Sequence, residues 1–261
     1  MSLAYDEFLE LEAKYNAGIA TLKDLELLEP YRAKRAVLLA SGFGNRMLPI
    51  TINTPKPLVN VNGKRIISTI LDALLAIEVT EIYIVTGYLK EQFELLKKDY
   101  PSITLIENPI YDVTNNISSA CAVKDCFQNA YAFESDLLLR NPKLLKKYRY
   151  YSCYMGVPVE ETSDWCFDVE NGIIVDLHKG GRDCYHMYGI SYWTAEDGAR
   201  IARDLPEAFE HEENKQRFWD DVPCVVVREN YKLRIEPCAF DDVDEIDSIE
   251  ELMAIDSRYR F

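Results

Sequence analysis

Leu38-Leu39-Ala40-Ser41-Gly42-Phe43-Gly44-Asn45-Arg46-Met47-Leu48-Pro49 is the stretch whose reading decides the fold. It begins inside an apolar run, Ala36 to Ala40, of β-strand character and passes directly into two glycines and an arginine. Beyond it, short β-rich runs alternate with helical periodicity. Ile66 to Ile77 reads as a helix, Glu81 to Thr86 as a strand, Leu89 to Lys98 as a helix and Ile103 to Ile106 as a strand; Ile117 to Phe127 is again a helix and Tyr131 to Glu134 a strand. Strands separated by helices of this length imply parallel β-α-β units. The expected class is α/β, with a doubly wound, mostly parallel (mixed) Rossmann-like sheet. Ligands of such sheets sit beyond the carboxyl ends of the strands, so the loop at 41–53 is where chemistry is expected.

After about Tyr150 the pattern turns antiparallel. Strand candidates lie near 150–157, 164–170 and 173–177, the last two joined by Asn171-Gly172, a strong hairpin signal. Met187 to Trp193 reads as a further strand and Ala195 to Leu205 as a helix. A chain of 261 residues suits one principal domain. We therefore expect a helical arm at 1–34 and a main domain at 35–261, the latter divided into halves at about 35–149 and 150–261. In the arm, a second short helix is expected to open at Thr21, with Asp24 three residues on as in a capping box.

The balance of 29 basic against 44 acidic residues gives a formal charge of −15, which repels a polyanion over most of the surface and argues against nucleic acid as a partner. No apolar run approaches the roughly 18 residues of a membrane helix, so membrane insertion is not expected. Met1 to Glu7 lacks the basic and apolar regions of a signal peptide, and the expected compartment is the cytoplasm. Seven scattered cysteines without a C-x-x-C pair read as reduced, mostly buried side chains.

Glycines at 42 and 44 let backbone N–H groups approach phosphate oxygens closely, and Arg46 adds charge-assisted donors. The P-loop pattern is absent, and a dinucleotide fingerprint would need glycine at position 47, which is Met. In Thr54-Pro55-Lys56-Pro57-Leu58, two prolines stiffen the backbone around a lysine suited to clamping a triphosphate. Together, L-x-x-G-x-G-x-R-x-x-P at 39–49, T-P-K-P-L at 54–58 and Val61-Asn62-Gly63-Lys64 resemble the signature of the sugar-nucleotide pyrophosphorylase superfamily. That resemblance implies that the loop of Gly42 and Gly44 cradles a triphosphate while Arg46 and Lys56 stabilise charge at the α-phosphate and the leaving pyrophosphate.

Val85 to Phe93, Asn115-Asn116 before Ser118, Phe218-Trp219-Asp220-Asp221 and Asp244 to Ser248 further resemble the CTP:phosphocholine cytidylyltransferase branch, over about residues 35–255. The resemblance implies Mg²⁺ held by Asp136 and Asp247, with Glu134 standing where an aspartate is expected, and Lys179 on the acceptor phosphate. It makes 35–149 the nucleotide half and 150–261 an antiparallel acceptor-binding subdomain. Asn115, Asn116 and Ser118 offer polar groups for a cytosine edge, and Leu39 and Ala40 offer backbone groups for the nucleoside.

A trimethylammonium donates no N–H bond and must be held by aromatic faces with carboxylates nearby. Asp164 with Trp165, Trp219 with Asp220, and Tyr192-Trp193 are the candidates. The expected reaction is in-line attack of phosphocholine on the α-phosphorus of CTP, giving CDP-choline and pyrophosphate without a general base; His178, His186 and His211 receive no catalytic role. The alternatives are the same chemistry on 2-aminoethylphosphonate, phosphoethanolamine or a sugar 1-phosphate, and a non-catalytic nucleotide-binding regulator, against which Arg46, Lys56 and Asp136 argue. A primary ammonium would favour carboxylates over an aromatic cage. A homo-oligomer, or a place within a longer fused polypeptide, is also compatible with the sequence.

Overall fold

A computed structural model describes residues 3–260. Met1 and Ser2 of the expected arm, and Phe261 at the end of the expected acceptor half, lie outside the described residues. Seven strands form the central sheet: β1 (Arg35–Ala40), β2 (Glu81–Thr86), β3 (Ile103–Glu107), β4 (Ala130–Glu134), β5 (Cys153–Glu170), β6 (Ile173–Trp193) and β7 (Arg234–Pro237). Their order is β7-β5-β6-β4-β1-β2-β3. β4, β1, β2 and β3 run parallel, whereas β6 is antiparallel to both β4 and β5. The sheet is therefore doubly wound and mixed, as expected.

β1 is apolar from Ala36 to Ala40 because both of its faces are covered. Ala36, Leu38 and Ala40 share a core with Ile67, Ile70, Leu71 and Leu74 of α3 (Ile66–Ala76; here α1 is Tyr5–Asn16 and α2 Leu22–Leu28). Val37 and Leu39 face the opposite core, with Ile117 and Ala120 of α4 (Ile117–Ala122) and Ile201 and Leu205 of α5 (Ala195–Glu210). From β1 the chain winds outward through β2 to β3 and then returns to lay β4 on the other side of β1. This reversal opens a crevice between the carboxyl ends of β1 and β4, the general position of ligands in such sheets.

Two helices, α1 and α2, precede β1. Thr21 accepts from the Asp24 amide, and Asp24 accepts from the Thr21 amide in return. Phe8, Leu11 and Leu28 bury their side chains against Tyr148, with Tyr31 stacked on Tyr150.

Four local expectations need correction. The segment after Leu89 is 3₁₀ (Lys90–Lys98) and not an α-helix, following a left-handed Leu89. The helix from Ile117 stops at Ala122 and resumes as a short 3₁₀ turn at Lys124–Cys126. α5 runs through Pro206 to Glu210. Most consequentially, the short strands expected between 150 and 193 are one hairpin of two long strands, 18 and 21 residues, whose turn is Asn171-Gly172 with both φ positive. Several bulges curl its outer part, and Cys166 faces both His178 and His186. Among the described residues, no helix is long and apolar enough to cross a membrane.

Candidate active site

The loop leaving β1 turns at Gly44, whose φ is +66° and whose missing Cβ would lie 3.1 Å from both Lys56 Cβ and Thr51 Cγ2. Glycine suits this left-handed conformation, and any side chain would press on both neighbours. Nothing lies within 4 Å of the Cβ that Gly42 lacks, so that stretch of backbone faces an open cleft. The cleft has a volume of about 490 Å³ and runs from Leu39, Ala40, Gly42, Gly44 and Arg46 to Trp165 and Phe218. Pro55 and Pro57 hold Lys56 in a short 3₁₀ turn, with its side chain only 10% exposed. Its ammonium donates to Asp136 Oδ2 at 2.9 Å and to Asp247 Oδ1 at 2.5 Å. Burial opposes the charged lysine, but the two carboxylates outweigh it and raise its pKa. Arg46, mostly exposed, reaches the other Asp247 oxygen at 2.7 Å. Two cations expected from the glycine loop and the proline-flanked turn therefore meet on the carboxylate expected near the C-terminus.

Asp136 behaves differently from Asp247. Its Oδ1 is buried and has no hydrogen-bond partner among the described residues. Carboxylate oxygens of Glu134, Asp136 and Glu245 lie within 4.8 Å of one another. Burial, then Asp136, Asp220 and Glu245, raise the Glu134 pKa well above the usual carboxylate range. Burial and then Asp136 and Asp247 push Glu245 up to about 8. An orphaned buried oxygen within three crowded carboxylates is a hard, all-oxygen donor set of the kind divalent cations take. Glu134 reaches this position across Gly189, where a Cβ would come within 2.6 Å of its Cγ. Asn116 Nδ2 donates to Glu134 Oε1 at 3.1 Å, and Asn116 Oδ1 accepts from the Trp219 amide. In the sequence, Glu134 stands out only as an unexpected residue, and nothing singles out Glu245. The ladder of Val243–Glu245 against Leu137–Leu139 sets Glu245 opposite Leu137, next to Asp136.

The cleft is also lined by Asp164, Trp165, Lys179, Phe218, Asp220 and Asp221. Trp165 meets Phe218 edge to face at 5.7 Å. Asp220 accepts from Tyr154 Oη at 2.6 Å, and burial, reinforced by Asp221, pushes its pKa up to about 7 against that bond. Tyr192, Trp193 and Trp219, expected among the cage residues, are buried in the core, at most 2% exposed, and do not line the cleft. Trp193 donates to Ser191, while Trp219 packs on Phe127, Tyr154 and Trp193. In Phe218-Trp219-Asp220-Asp221 the tryptophan alone does not line the cleft; Asp220 borders it although it is only 3% exposed. Asn116 lines the cleft, but Asn115 and Ser118 do not. Asn115 donates to the Gln216 carbonyl, and Ser118 is enclosed by Asn108 and Thr114.

This geometry can be set beside known proteins. Residues 35–144 match the Nucleotidyl transferase family. The chain is 41% identical to the 2-aminoethylphosphonate cytidylyltransferase of Lancefieldella rimae over 228 residues, 86% of this chain and 92% of the relative. It is 33% identical to the choline-phosphate cytidylyltransferase of Streptococcus pneumoniae over 228 residues, 83% of this chain and 94% of the relative. The solved structure of CTP:phosphocholine cytidylyltransferase from Streptococcus pneumoniae superimposes with a TM-score of 0.80 at 28% identity, covering 88% of this chain and 100% of that one. A glycine-rich loop, a clamped lysine and a carboxylate cluster at the crevice of a doubly wound sheet thus coincide with relatives matched over most of their length, and the chain belongs to the cytidylyltransferases of the nucleotidyl transferase superfamily.

Proposed function

We propose that this enzyme joins CTP to 2-aminoethylphosphonate, or to an acceptor closely like it with a primary ammonium, and releases pyrophosphate. The observation that carries this reading is the acceptor end of the cleft. Asp164, Asp220 and Asp221 stand there, while three of the four aromatic residues expected to cage a trimethylammonium lie in the core. An –NH₃⁺ group brings three donors that need acceptors, and carboxylates supply them. The 41% identity to a 2-aminoethylphosphonate cytidylyltransferase supports the same acceptor. Phosphocholine is the second reading, favoured by the Trp165–Phe218 pair, whose faces suit a quaternary ammonium.

In the reaction, an acceptor oxygen forms a bond to the α-phosphorus of CTP, the bond from that phosphorus to the bridging oxygen breaks, and its electron pair leaves on pyrophosphate. The attacking oxygen is already anionic, so no base is needed. The residues must instead bring two anions together and neutralise charge as it moves. We assign Lys56 and Arg46 to the triphosphate and Lys179 to the acceptor's phosphonate. Asp136, through its partnerless oxygen, with Glu134 and Glu245, would hold Mg²⁺. When bound, that ion supplies positive charge to phosphate oxygens. Asp247, expected from the sequence as a metal ligand, is given the different task of orienting Lys56 and Arg46.

A pyrophosphate-release panel tests the reading by crossing CTP, UTP, dTTP and ATP with 2-aminoethylphosphonate, phosphoethanolamine, phosphocholine and glucose 1-phosphate. CTP with 2-aminoethylphosphonate is expected to exceed CTP with phosphocholine by about tenfold or more in kcat/KM. Parity, or preference for phosphocholine, would refute the acceptor assignment.

A further inference from the structure

Behind the glycine loop lies a buried polar chain made of Asn108, Ser118, Ser119 and Ser41. Asn108 Nδ2 donates to Ser118 Oγ at 2.7 Å and to Ser119 Oγ at 3.0 Å, while its Oδ1 accepts from the Ile110 amide. Ser119 Oγ lies 2.6 Å from Ser41 Oγ. Ser41 directly precedes Gly42 and lines the nucleotide cleft, and its carbonyl accepts from the Tyr88 amide.

Counting protons gives this chain a direction. Both Nδ2 hydrogens of Asn108 are spent on the two serines, so Ser119 receives one bond and has one proton to give. Ser119 is 1% exposed, and the other atom that bonds its hydroxyl is Ser41 Oγ. A buried hydroxyl proton without an acceptor is costly, so Ser119 donates to Ser41. Ser41 then accepts from behind, and its own proton is left to point into the cleft. We propose that Ser41 is a dedicated O–H donor to an acceptor oxygen of the bound nucleoside triphosphate, and that Asn108 and Ser119 are positioning residues that fix this polarity. The proposal concerns the nucleotide donor and holds for whichever acceptor the enzyme uses.

The test reads CTP affinity by calorimetry without acceptor, alongside separate KM values for CTP and acceptor. Ser41→Ala should weaken CTP about tenfold or more, the usual worth of a bond to a charged oxygen, and leave the acceptor KM within twofold. Asn108→Asp keeps the side-chain shape but offers an acceptor to the Ser119 proton, which would force Ser41 to donate backward. It should reproduce the CTP defect without touching the cleft. The double variant should be no worse than Asn108→Asp alone. CTP affinity within about twofold of wild type in Ser41→Ala would overturn the assignment, as would additive losses in the double variant, the signature of charge repulsion or general loosening.

Discussion

Replacing Lys56 with methionine removes one buried ammonium and keeps most of the side-chain volume. In kinetics, losing one preorganised charge at a developing oxyanion costs about 10²–10³ in turnover. The effect on stability follows from the partners. Asp247 keeps Arg46 at 2.7 Å, but Asp136 loses its bond to Lys56, the one cation that reaches it among the described residues, with Glu134 and Glu245 crowding it. A buried carboxylate stripped of its cation partner destabilises the fold by about 3–5 kcal/mol. For a chain of this size that corresponds to a fall in Tm of up to about 15 °C. A divalent cation at Asp136 would repair the imbalance, so Mg²⁺ should raise the Tm of Lys56→Met more than that of wild type; at a concentration of about 100 Kd the gain is about 2.7 kcal/mol. The measurements are a coupled pyrophosphate-release assay and thermal unfolding with and without Mg²⁺. Turnover within tenfold of wild type would sink the role of Lys56, and equal Mg²⁺ shifts in the two proteins would sink the carboxylate argument.

In Gly189→Ala, the new Cβ would sit 2.6 Å from Glu134 Cγ, pushing Glu134 away from Asn116 and the other carboxylates. The Mg²⁺ concentration for half-maximal activity should then rise about tenfold or more, and an unchanged metal titration refutes Glu134 as a ligand. Asp220, raised to about 7, is neutral below that pH and anionic above it. The acceptor KM should therefore fall between pH 6 and 8, and Asp220→Asn should flatten the profile; an identical profile in the variant dismisses Asp220 from ammonium binding. Because the folded pKa lies above the unfolded one, the same group gives stability that is present below about pH 4 and lost as pH rises through about 7. Deleting residues 1–28 removes Phe8, Leu11 and Leu28 from a shared core, each worth about 1.5–3 kcal/mol, and should lower Tm while leaving kcat/KM of the folded fraction unchanged.

The parallel half of the sheet was legible because β1 and β4 are buried on both faces, so Ala36 to Ala40 and Ala130 to Phe133 are apolar runs, and the observed strand ends fall within a residue of those expected. The long hairpin was not, for the opposite reason. Its outer reaches, around Glu160 to Asp164 and Lys179 to Asp183, are mostly exposed and have no apolar alternation, yet backbone pairing carries the ladder through them. Only Asn171-Gly172, where the backbone itself demands particular residues, announced it. The site divides along the same line. Gly44, Arg46 and Lys56 sit in short segments where a turn or a proline fixes direction, and such segments can be read locally. Whether Trp219 or its neighbours face the cleft depends on packing against Phe127 and Trp193, which no local pattern encodes.

At the carboxylate cluster beside the glycine loop, Glu134, Asp136, Glu245 and Asp247 stand around Lys56 and Arg46, four carboxylates against two cations. Burial, and then the neighbouring carboxylates, raise the pKa values of Glu134 and Glu245 and so favour a proton on each. One divalent cation balances the count without those protons. On the assignment proposed above, Mg²⁺ binding should therefore release protons from the cleft near neutral pH. Calorimetry of Mg²⁺ binding in two buffers of different ionisation enthalpy measures that release directly, and Glu245→Gln should reduce it. Binding with no proton released would mean that the ion is held elsewhere and that the raised carboxylates serve only to neutralise one another.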